Sequence, residues 1–541
     1  VTVGEPFPRV IVTRRLENDG SRYFGPYTDV GQMRRSLNVV KRIFTVRSCH
    51  YDLPHDAPDR PCLDYHIGKC KAPCVGLQTT DDYGAMIDEV AARIEAKRDE
   101  IVALTQAMVR IPTINPPGDA YRPCAELIGE RLRRRGFVVD YLRAEGTPGD
   151  SERLPRVNVV ARRDGATPGP CVHFNGHIDV VEAKRADWVR DPFTLIEEDG
   201  YFYARGTADD KAQAAVWTDT LVRFAKEGYK PKRTIKLALT CGEETSGAFN
   251  GAEWLAQNKR DLIDAAFALN EGGGGRTDGH GKLQVQSIQV GEKAYQDFEL
   301  TTTNPGGHSS QPVPDNAIYQ MSAALTKIGQ FEFPLEFNDT TRAFFAKAGA
   351  LRPDDTGKAM QALAANPADK AAEAVVNKDK MLHSMLRTTC VATMIDGGHA
   401  QNALPQTVHA NVNCRMFPGR TADETQAMLA QAIGDPGVKI EQKVKGKPIA
   451  KSPPLDPALV GPMEQLVAKH FPGVPVIPTM STGATDGVYL GAVGIPTYGV
   501  PGIYGDPDGN GVHGLNERMG VKSLYDGRDY LFDLVKALSG K

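Results

Sequence analysis

The chain has 541 residues, 41% of them hydrophobic and 24% charged, with a formal net charge of −3. This length calls for more than one domain, and the near-neutral balance argues against bulk attraction to nucleic acid or to an anionic membrane surface. No run of about 18 apolar residues and no basic-then-apolar leader is present, so no spanning helix is expected and a cytoplasmic location is; the chain starts at Val1, as a fragment or a processed product would.

The first 90 residues carry one helical pattern and one cysteine cluster. Met33, Leu37, Val40 and Phe44 recur at helical spacing, with Arg34, Arg35, Lys41 and Arg42 elsewhere on the helix. A solvated basic face is the expectation there, and phosphate contact the alternative. Cys49, Cys62, Cys70 and Cys74 follow at spacings C-x12-C-x7-C-x3-C, the last three within CLDYHIGKCKAPC, which is too rich in turn formers and charges for a core element. Four thiols so close imply a metal or iron–sulfur site, with zinc and four unligated thiols as the alternatives; two disulfides fit a reducing compartment poorly. The stretch PRVIVTRRLENDGSRYFGPYTD, with these cysteines, resembles the UvrC-type excinuclease subunit over residues 1–90. The resemblance implies a segment that follows a GIY-YIG endonuclease core and binds a 4Fe–4S cluster through the four cysteines. This sequence shows no GIY-YIG signature, second nuclease domain or helix-hairpin-helix, so neither incision activity is implied.

Near Val90, MIDEV passes into AARIEAKRDEIVALTQAMVRI, whose charges fall at helical spacing. This helix joins the two parts without a Gly/Pro/Ser linker and reads as a gene fusion or a joining of two sequences. Further on, Cys171–Val181 (CVHFNGHIDVV) is an apolar strand pattern ending in His177. Asp179 shares the face of His177 and is placed to accept its second imidazole N–H. Arg205–Lys211 is a glycine turn followed by helical apolar spacing at Ala214, Ala215, Leu221, Phe224 and Ala225. Asp209 thus stands where a turn opens into a helix N-terminus, placed to bridge two metals. Thr234–Cys241 leads into Gly242-Glu243-Glu244, and Ala265–Leu269 into Asn270-Glu271-Gly272. Both put an acid at the carboxyl end of a buried strand, where open α/β sheets collect ligands.

Phe298 and Leu300 alternate with Asp297, Glu299 and Thr301 in Lys293–Thr303, the pattern of a half-buried antiparallel strand that opens a new sheet. That sheet should end near Gln442–Gly446, and Pro453-Pro454 opens a return to the part carrying His513. The alanine- and lysine-rich stretch from Phe337 to Met385 is helical in composition. Cys124, Cys171, Cys241, Cys390 and Cys414 are scattered, mostly in apolar runs, and read as small buried residues of a reduced protein.

Taken together, His177, Asp209, Glu244, Glu271 and His513 suit a pair of borderline divalent cations. Glu243 is a neighbouring carboxylate outside the ligand set, suited to act as general base on a metal-activated water. A single histidine or a Glu-Glu pair is more often structural, but several apolar strands delivering polar residues to one edge are hard to explain as packing.

The motifs HIDVV, RGTADDK, GEETSG, NEGG, PGGHSS, GGHAQNALP, CRMFPG and HGLNER make the chain from residue 91 onward similar to the zinc-dependent aminoacylase, ArgE/DapE and carboxypeptidase family of co-catalytic metallopeptidases. The resemblance implies an α/β co-catalytic zinc exopeptidase-type domain in two parts, residues 91–291 and 447–541. An inserted α+β lid and dimerisation domain would span 292–446, and the cysteine-cluster segment 1–90 would precede them. It implies one zinc on His177 and Glu271, a second on Glu244 and His513, and Asp209 as the bridge, with Co2+ or Mn2+ as substitutes. Asp179 would orient His177, and Glu243 would carry a proton from water to the leaving amine. His308 and Asn402 would stabilise the oxyanion, His308 reaching across a homodimer formed through the lid, and Arg415 would grip a substrate carboxylate. The expected reaction is hydrolysis of the amide bond of an N-acyl amino acid or a short peptide with a free C-terminal carboxylate. Arg415 suits the carboxylate, and Glu271 stands where acylases and carboxypeptidases of the family tend to have Glu and its aminopeptidases Asp. The competing reading is a nucleic-acid-binding iron–sulfur fragment of a repair nuclease with an inert peptidase-like half; the complete ligand set disfavours it.

Overall fold

The computed structural model describes residues 2, 5–13, 21, 37, 44–169, 171–245, 249–443, 448–500 and 502–540, with the backbone alone for 91–99. The chain divides into two compact units, Val1–Leu104 with Lys469–Pro472, and Thr105–Ala468 with Gly473–Lys541. A single helix, Thr80–Val109, runs through the expected junction near Val90. The basic helix pattern lies outside the described residues, apart from Leu37 and Phe44.

The first unit is organised around one buried cation. The Arg47 guanidinium pairs with Glu5 at 2.6 Å and donates to the carbonyls of Phe7 (2.9 Å) and Tyr51 (2.8 Å), while its backbone N–H donates to the Tyr83 hydroxyl at 3.1 Å. The partners come from three stretches of the chain, around Glu5 and Phe7, at Tyr51 and at Tyr83, so Arg47 ties together a segment whose apolar core is small: Phe7, Val46, Leu53, Ala72, Cys74, Tyr83, Ile87 and Val90.

In the second unit the larger sheet has ten strands, in the order Val138–Arg143, Val157–Arg163, Ile235–Thr240, Val172–His177, Phe267–Asn270, Thr497–Gly499, Leu283–Glu292, Gly274–Thr277 and Tyr504–Gly505, with Val476–Ser481 beside Leu283–Glu292. The four central strands, from Ile235–Thr240 to Thr497–Gly499, are mutually parallel. All four are buried along their whole length, as expected of a parallel sheet covered by helices on both faces. Because they are parallel, their carboxyl ends share one edge; the register sets His177 opposite Thr240.

A second sheet, antiparallel, runs Thr389–Gly397, Thr407–Met416, Ala294–Thr303, Lys439–Gln442. Ala294–Thr303 alternates buried and half-buried residues as its sequence pattern predicts. Its apolar face packs Phe298, Leu300, Val408, Ala410 and Val412 against Met321, Ile328, Leu429 and Ile433 from two helices, Ala317–Gln330 and Ala422–Ile433. The alanine-rich stretch forms four helices between Asp339 and Met385, with a core of their own around Phe345, Met360, Leu363 and Val376.

One expectation is corrected here. Cys390 and Cys414 are not free thiols but form a disulfide. They stand directly opposite each other on antiparallel strands with their Cα atoms 4.1 Å apart, the close spacing of a non-hydrogen-bonded pair, and only the register brings them together. Cys124 and Cys241 are free and buried, and Cys171 is free and partly buried. Among the described residues no helix is long and apolar enough to cross a membrane.

Candidate metal centre

The carboxyl edge of the parallel strands gathers five side chains from five separate points in the sequence. His177 ends the strand Val172–His177, Glu244 follows Ile235–Thr240, Glu271 follows Phe267–Asn270, Asp209 precedes the helix Lys211–Lys226, and His513 comes from a late loop. His177 Nε2 lies 3.0 Å from Asp209 Oδ1 and 3.1 Å from Glu271 Oε2. His513 Nε2 lies 3.2 Å from Asp209 Oδ2 and 2.8 Å from Glu244 Oε2. Asp209 therefore turns one oxygen to each histidine, and the five residues fall into two halves that share it. All five are borderline or hard donors of the type that divalent zinc, cobalt or manganese accepts, so the residues present fit a dinuclear centre.

The electrostatics agree with a site built for cations. Burial pushes the Glu244 and Glu271 carboxyls up. Burial also works against the charge on Asp209, but hydrogen bonds from His177 and His513 outweigh it and hold that carboxyl well below its usual range. His513 is pushed up to about 10 by its hydrogen bonds to Asp209 and Glu244. Three carboxylates packed into one partly buried site repel one another unless positive charge is placed among them.

Asp179 supports the set from behind. His177 Nδ1 lies 3.1 Å from the Asp179 backbone carbonyl and 3.6 Å from its carboxylate, so the nearer acceptor for the second ring N–H is the main chain. The carboxylate instead accepts from Asn115 Nδ2 at 2.9 Å and from the backbone amides of Glu243 and Glu244 at 3.3 and 3.2 Å. It thereby fixes the turn that aims the Glu pair. Glu243 belongs to neither group of closely set ligand atoms.

Three contributors escaped the sequence reading. Asp210 forms a second group of close ligand atoms with His177 and Glu271; it is buried, its Oδ2 makes no hydrogen bond, and burial pushes its carboxyl well up. The Asp-Asp doublet was its only signal. Glu517, four residues past His513, accepts from the backbone amides of Gly206, Ala208 and Asp209 at 3.1, 2.7 and 3.1 Å and pairs with Arg205 at 2.5 Å. Arg205 in turn donates to the Gly514 carbonyl at 3.0 Å. This lock holds Asp209 and the His513 loop together, where His513 and Asn516 have φ 58° and 54°, a left-handed conformation such residues rarely adopt unsupported. The third, Asn115, carries no motif of its own.

The residues expected in the lid are not drawn to the metal centre. His308 and Asn402 are exposed neighbours on a two-strand ribbon, where His308 Nδ1 accepts from the Ser310 amide at 3.1 Å and the Ser309 amide donates to the Asn402 carbonyl at 3.0 Å. Arg415 sits on the four-stranded sheet with its guanidinium 4.8 Å from the centre of the Tyr295 ring. In the first unit, Cys49 and Cys62 are partly or fully exposed, and burial pushes the Cys70 and Cys74 thiols up. Arg47 Nη1 lies 3.7 Å from Cys49 Sγ. None of the four cysteines belongs to the groups of close ligand atoms found among the described residues.

Comparison with known proteins covers both units. Residues 173–537 match the family model for peptidase family M20/M25/M40, and residues 1–93 match that for the UvrC/Cho excinuclease middle domain. The chain is 27% identical over 368 residues to the human N-fatty-acyl-amino acid synthase/hydrolase PM20D1, covering 66% of this chain and 72% of that protein. It is 70% identical over 102 residues to the UvrABC system protein C of Gemmatimonas aurantiaca, a match that covers 19% of this chain and only 17% of that protein. Among solved structures, an M20 family metallo-carboxypeptidase from Sulfolobus solfataricus superposes with a TM-score of 0.60 at 18% identity, over 81% of this chain and 99% of that one.

Proposed function

This chain belongs to peptidase family M20/M25/M40, with a UvrC middle domain ahead of the peptidase, and from that premise we propose that it hydrolyses the amide bond of an N-acyl amino acid. The observation that carries the reading is the shared carboxylate: Asp209 faces His177 with one oxygen and His513 with the other, at 3.0 and 3.2 Å. In this proposal His177 and Glu271 hold one divalent cation, Glu244 and His513 the other, and Asp209 both; zinc is the metal proposed. Such a pair, when bound, polarises an amide carbonyl and makes a water acidic near neutral pH.

The chain's own residues supply the rest. Glu243 takes the proton from the attacking water and returns it to the leaving nitrogen, which is why it is kept out of the ligand set. Asp179 holds the turn that aims it. His308 and Asn402 donate to the oxyanion, and Arg415 pairs with the substrate carboxylate, when the lid closes or when a partner subunit brings its own lid residues to the site. A homodimer through the lid is part of the reading. The edge strand Thr389–Gly397 supports it, because Val391, Met394 and Ile395 are exposed there along a sheet edge that no strand among the described residues pairs. The choice of an acylated amino acid over a peptide rests on the human relative, whose name describes that chemistry. For the first unit we propose only that Cys49, Cys62, Cys70 and Cys74 bind a 4Fe–4S cluster or a zinc ion.

The test is a substrate panel run on purified, zinc-loaded protein: N-acyl amino acids of increasing chain length, the same compounds amidated at the carboxylate, and dipeptides. Hydrolysis of the free acids with at least a tenfold loss on amidation is expected, a loss that should shrink in Arg415→Lys because a point charge replaces a planar fork. Equal turnover of acid and amide, or of dipeptides alone, would reject the substrate assignment.

A further inference from the structure

Two hydrogen-bonded relays leave the chain on either side of Glu271 and end on the same oxygen atom. On the near side, Asn270 Nδ2 donates to Thr485 Oγ1 at 3.0 Å, and the Thr485 hydroxyl and backbone amide each donate to Glu292 Oε2 at 2.9 Å. On the far side, the Gly273 amide donates to Gln289 Oε1 at 3.2 Å, and Gln289 Nε2 donates to that same Glu292 oxygen at 3.1 Å. The first relay also reaches the strand of His177. Asn175, on the same strand face as His177, donates through Nδ2 to Asn270 Oδ1 at 2.8 Å. Thr485 has no capacity to spare: its hydroxyl donates once, to Glu292, and accepts from Asn270 and from the Gly487 amide at 3.0 Å.

The turn held in this way has little to fix it from within. Glu271 is followed by Gly272 and Gly273, at φ 94° and 79°, and glycine is the residue that its own backbone restrains least. A Cβ at Gly272 would lie 2.5 Å from Gln289 Oε1, so the same glycine lets the Gln289 side chain come up against the turn. Packing does not take over the task on this side, because Asn270, Glu271, Gln289, Glu292 and Thr485 all line one cavity of about 210 Å³. Hydrogen bonds therefore set the position of Glu271, and Glu292, 5% exposed, is the carboxyl group on which they converge.

We propose that Glu292 is a positioning residue for one half of the metal centre, the half made by His177 and Glu271, whose nearest side-chain atoms are 3.1 Å apart. It touches neither proposed metal and acts through Thr485, Asn270 and Gln289. The Glu244 and His513 half has a separate support in Glu517, which holds the Asp209 turn and, through Arg205, the loop of His513. The proposal rests on the two-metal reading above and adds which buried carboxyl group governs which ion.

Its test compares the wild type with Glu292→Gln, which keeps at most one carbonyl oxygen at the convergence point, and with Thr485→Val, which cuts the longer relay and leaves the carboxyl group in place. Each protein is stripped of metal, and its affinity for zinc is measured by competition with a chromophoric chelator. The peptidase unit of the wild type should bind two ions. In each variant one ion should keep the wild-type affinity and the other should weaken about 10- to 100-fold, the usual cost of losing a group that orients a ligand. Cobalt loading gives a second readout: the visible spectrum of the first equivalent should match the wild type and that of the second should change, a split that a general loss of stability would not produce. Cobalt held by the four cysteines is told apart by its thiolate absorption in the near ultraviolet. Two ions weakened alike, or two left unchanged, in either variant that folds would overturn the proposal, whereas a wild type that binds fewer than two would reject the two-metal reading and the proposal with it.

Discussion

Glu517 shows how one carboxylate can organise a cluster of candidate metal ligands that it does not join. Its Oε1 takes three backbone amides around Asp209, its Oε2 takes Arg205, and Arg205 reaches on to Gly514 beside His513. Charge-assisted hydrogen bonds of this kind are roughly twice as strong as neutral ones. Glu517→Gln keeps an acceptor for the amides but removes the charge that anchors Arg205, and it should weaken metal binding about 10- to 100-fold, the usual cost of losing a group that orients a ligand. Competition with a chromophoric chelator measures this directly, and an unchanged affinity would reduce Glu517 to a packing residue. At this scale the sequence was legible where chemistry forces a residue type into a motif: His177, Asp209, Glu244, Glu271 and His513 are all found at one edge. Glu517 lay inside a motif already noticed, yet its partner Arg205 is 312 residues away, and such a separation cannot be read from spacing.

Between the ten-stranded and the four-stranded sheets of the peptidase unit stands a single residue. Leu283–Glu292 belongs to the large sheet and Ala294–Thr303 to the lid sheet, and Lys293 joins them, its Nζ donating to the Ser384 carbonyl at 2.9 Å and to Thr389 Oγ1 at 3.1 Å. Burial pushes the Lys293 ammonium down to about 7 from an ordinary value of 10.5, with Arg415 adding to the effect. Between those two values the unfolded chain holds a proton that the folded chain does not, so stability rises with pH across that window, and the penalty for burying the charge is fully present below it. Lys293→Met should therefore flatten the pH dependence by about 2 kcal/mol between pH 7 and pH 9, read from urea unfolding. An unchanged slope would show that Lys293 remains protonated. Strand periodicity made the lid sheet readable in advance, because one face is buried and the other wet. The Cys390–Cys414 disulfide was not, since it depends on which residues of two distant strands stand opposite each other.

Across the whole molecule the two units have separate chemistry. The proposed metal ligands, His177, Asp209, Glu244, Glu271 and His513, all lie in the unit that begins at Thr105. The change of family was legible in the sequence because the cysteine cluster and the peptidase motifs occupy different stretches, and so was a helix across the junction, because the charges of AARIEAKRDEIVALTQAMVRI fall at helical spacing. A chain beginning at Ala91 should keep its metal and its kcat/KM within about twofold, because it retains every residue assigned to binding or catalysis. A folded, metal-loaded truncation that has lost activity would make the first unit a working part of the enzyme. The most direct measurement of the account is reconstitution: strip the intact protein with a chelator, add zinc in fractional equivalents, and follow both bound metal and hydrolysis of an N-acyl amino acid. Two tightly bound equivalents per chain in the peptidase unit, with activity absent from the stripped protein and complete at the second, are predicted, and Glu243→Ala should bind the same two equivalents while turning over at least a hundredfold more slowly. Full activity without added metal, or no tight binding outside the cysteine cluster, would contradict it.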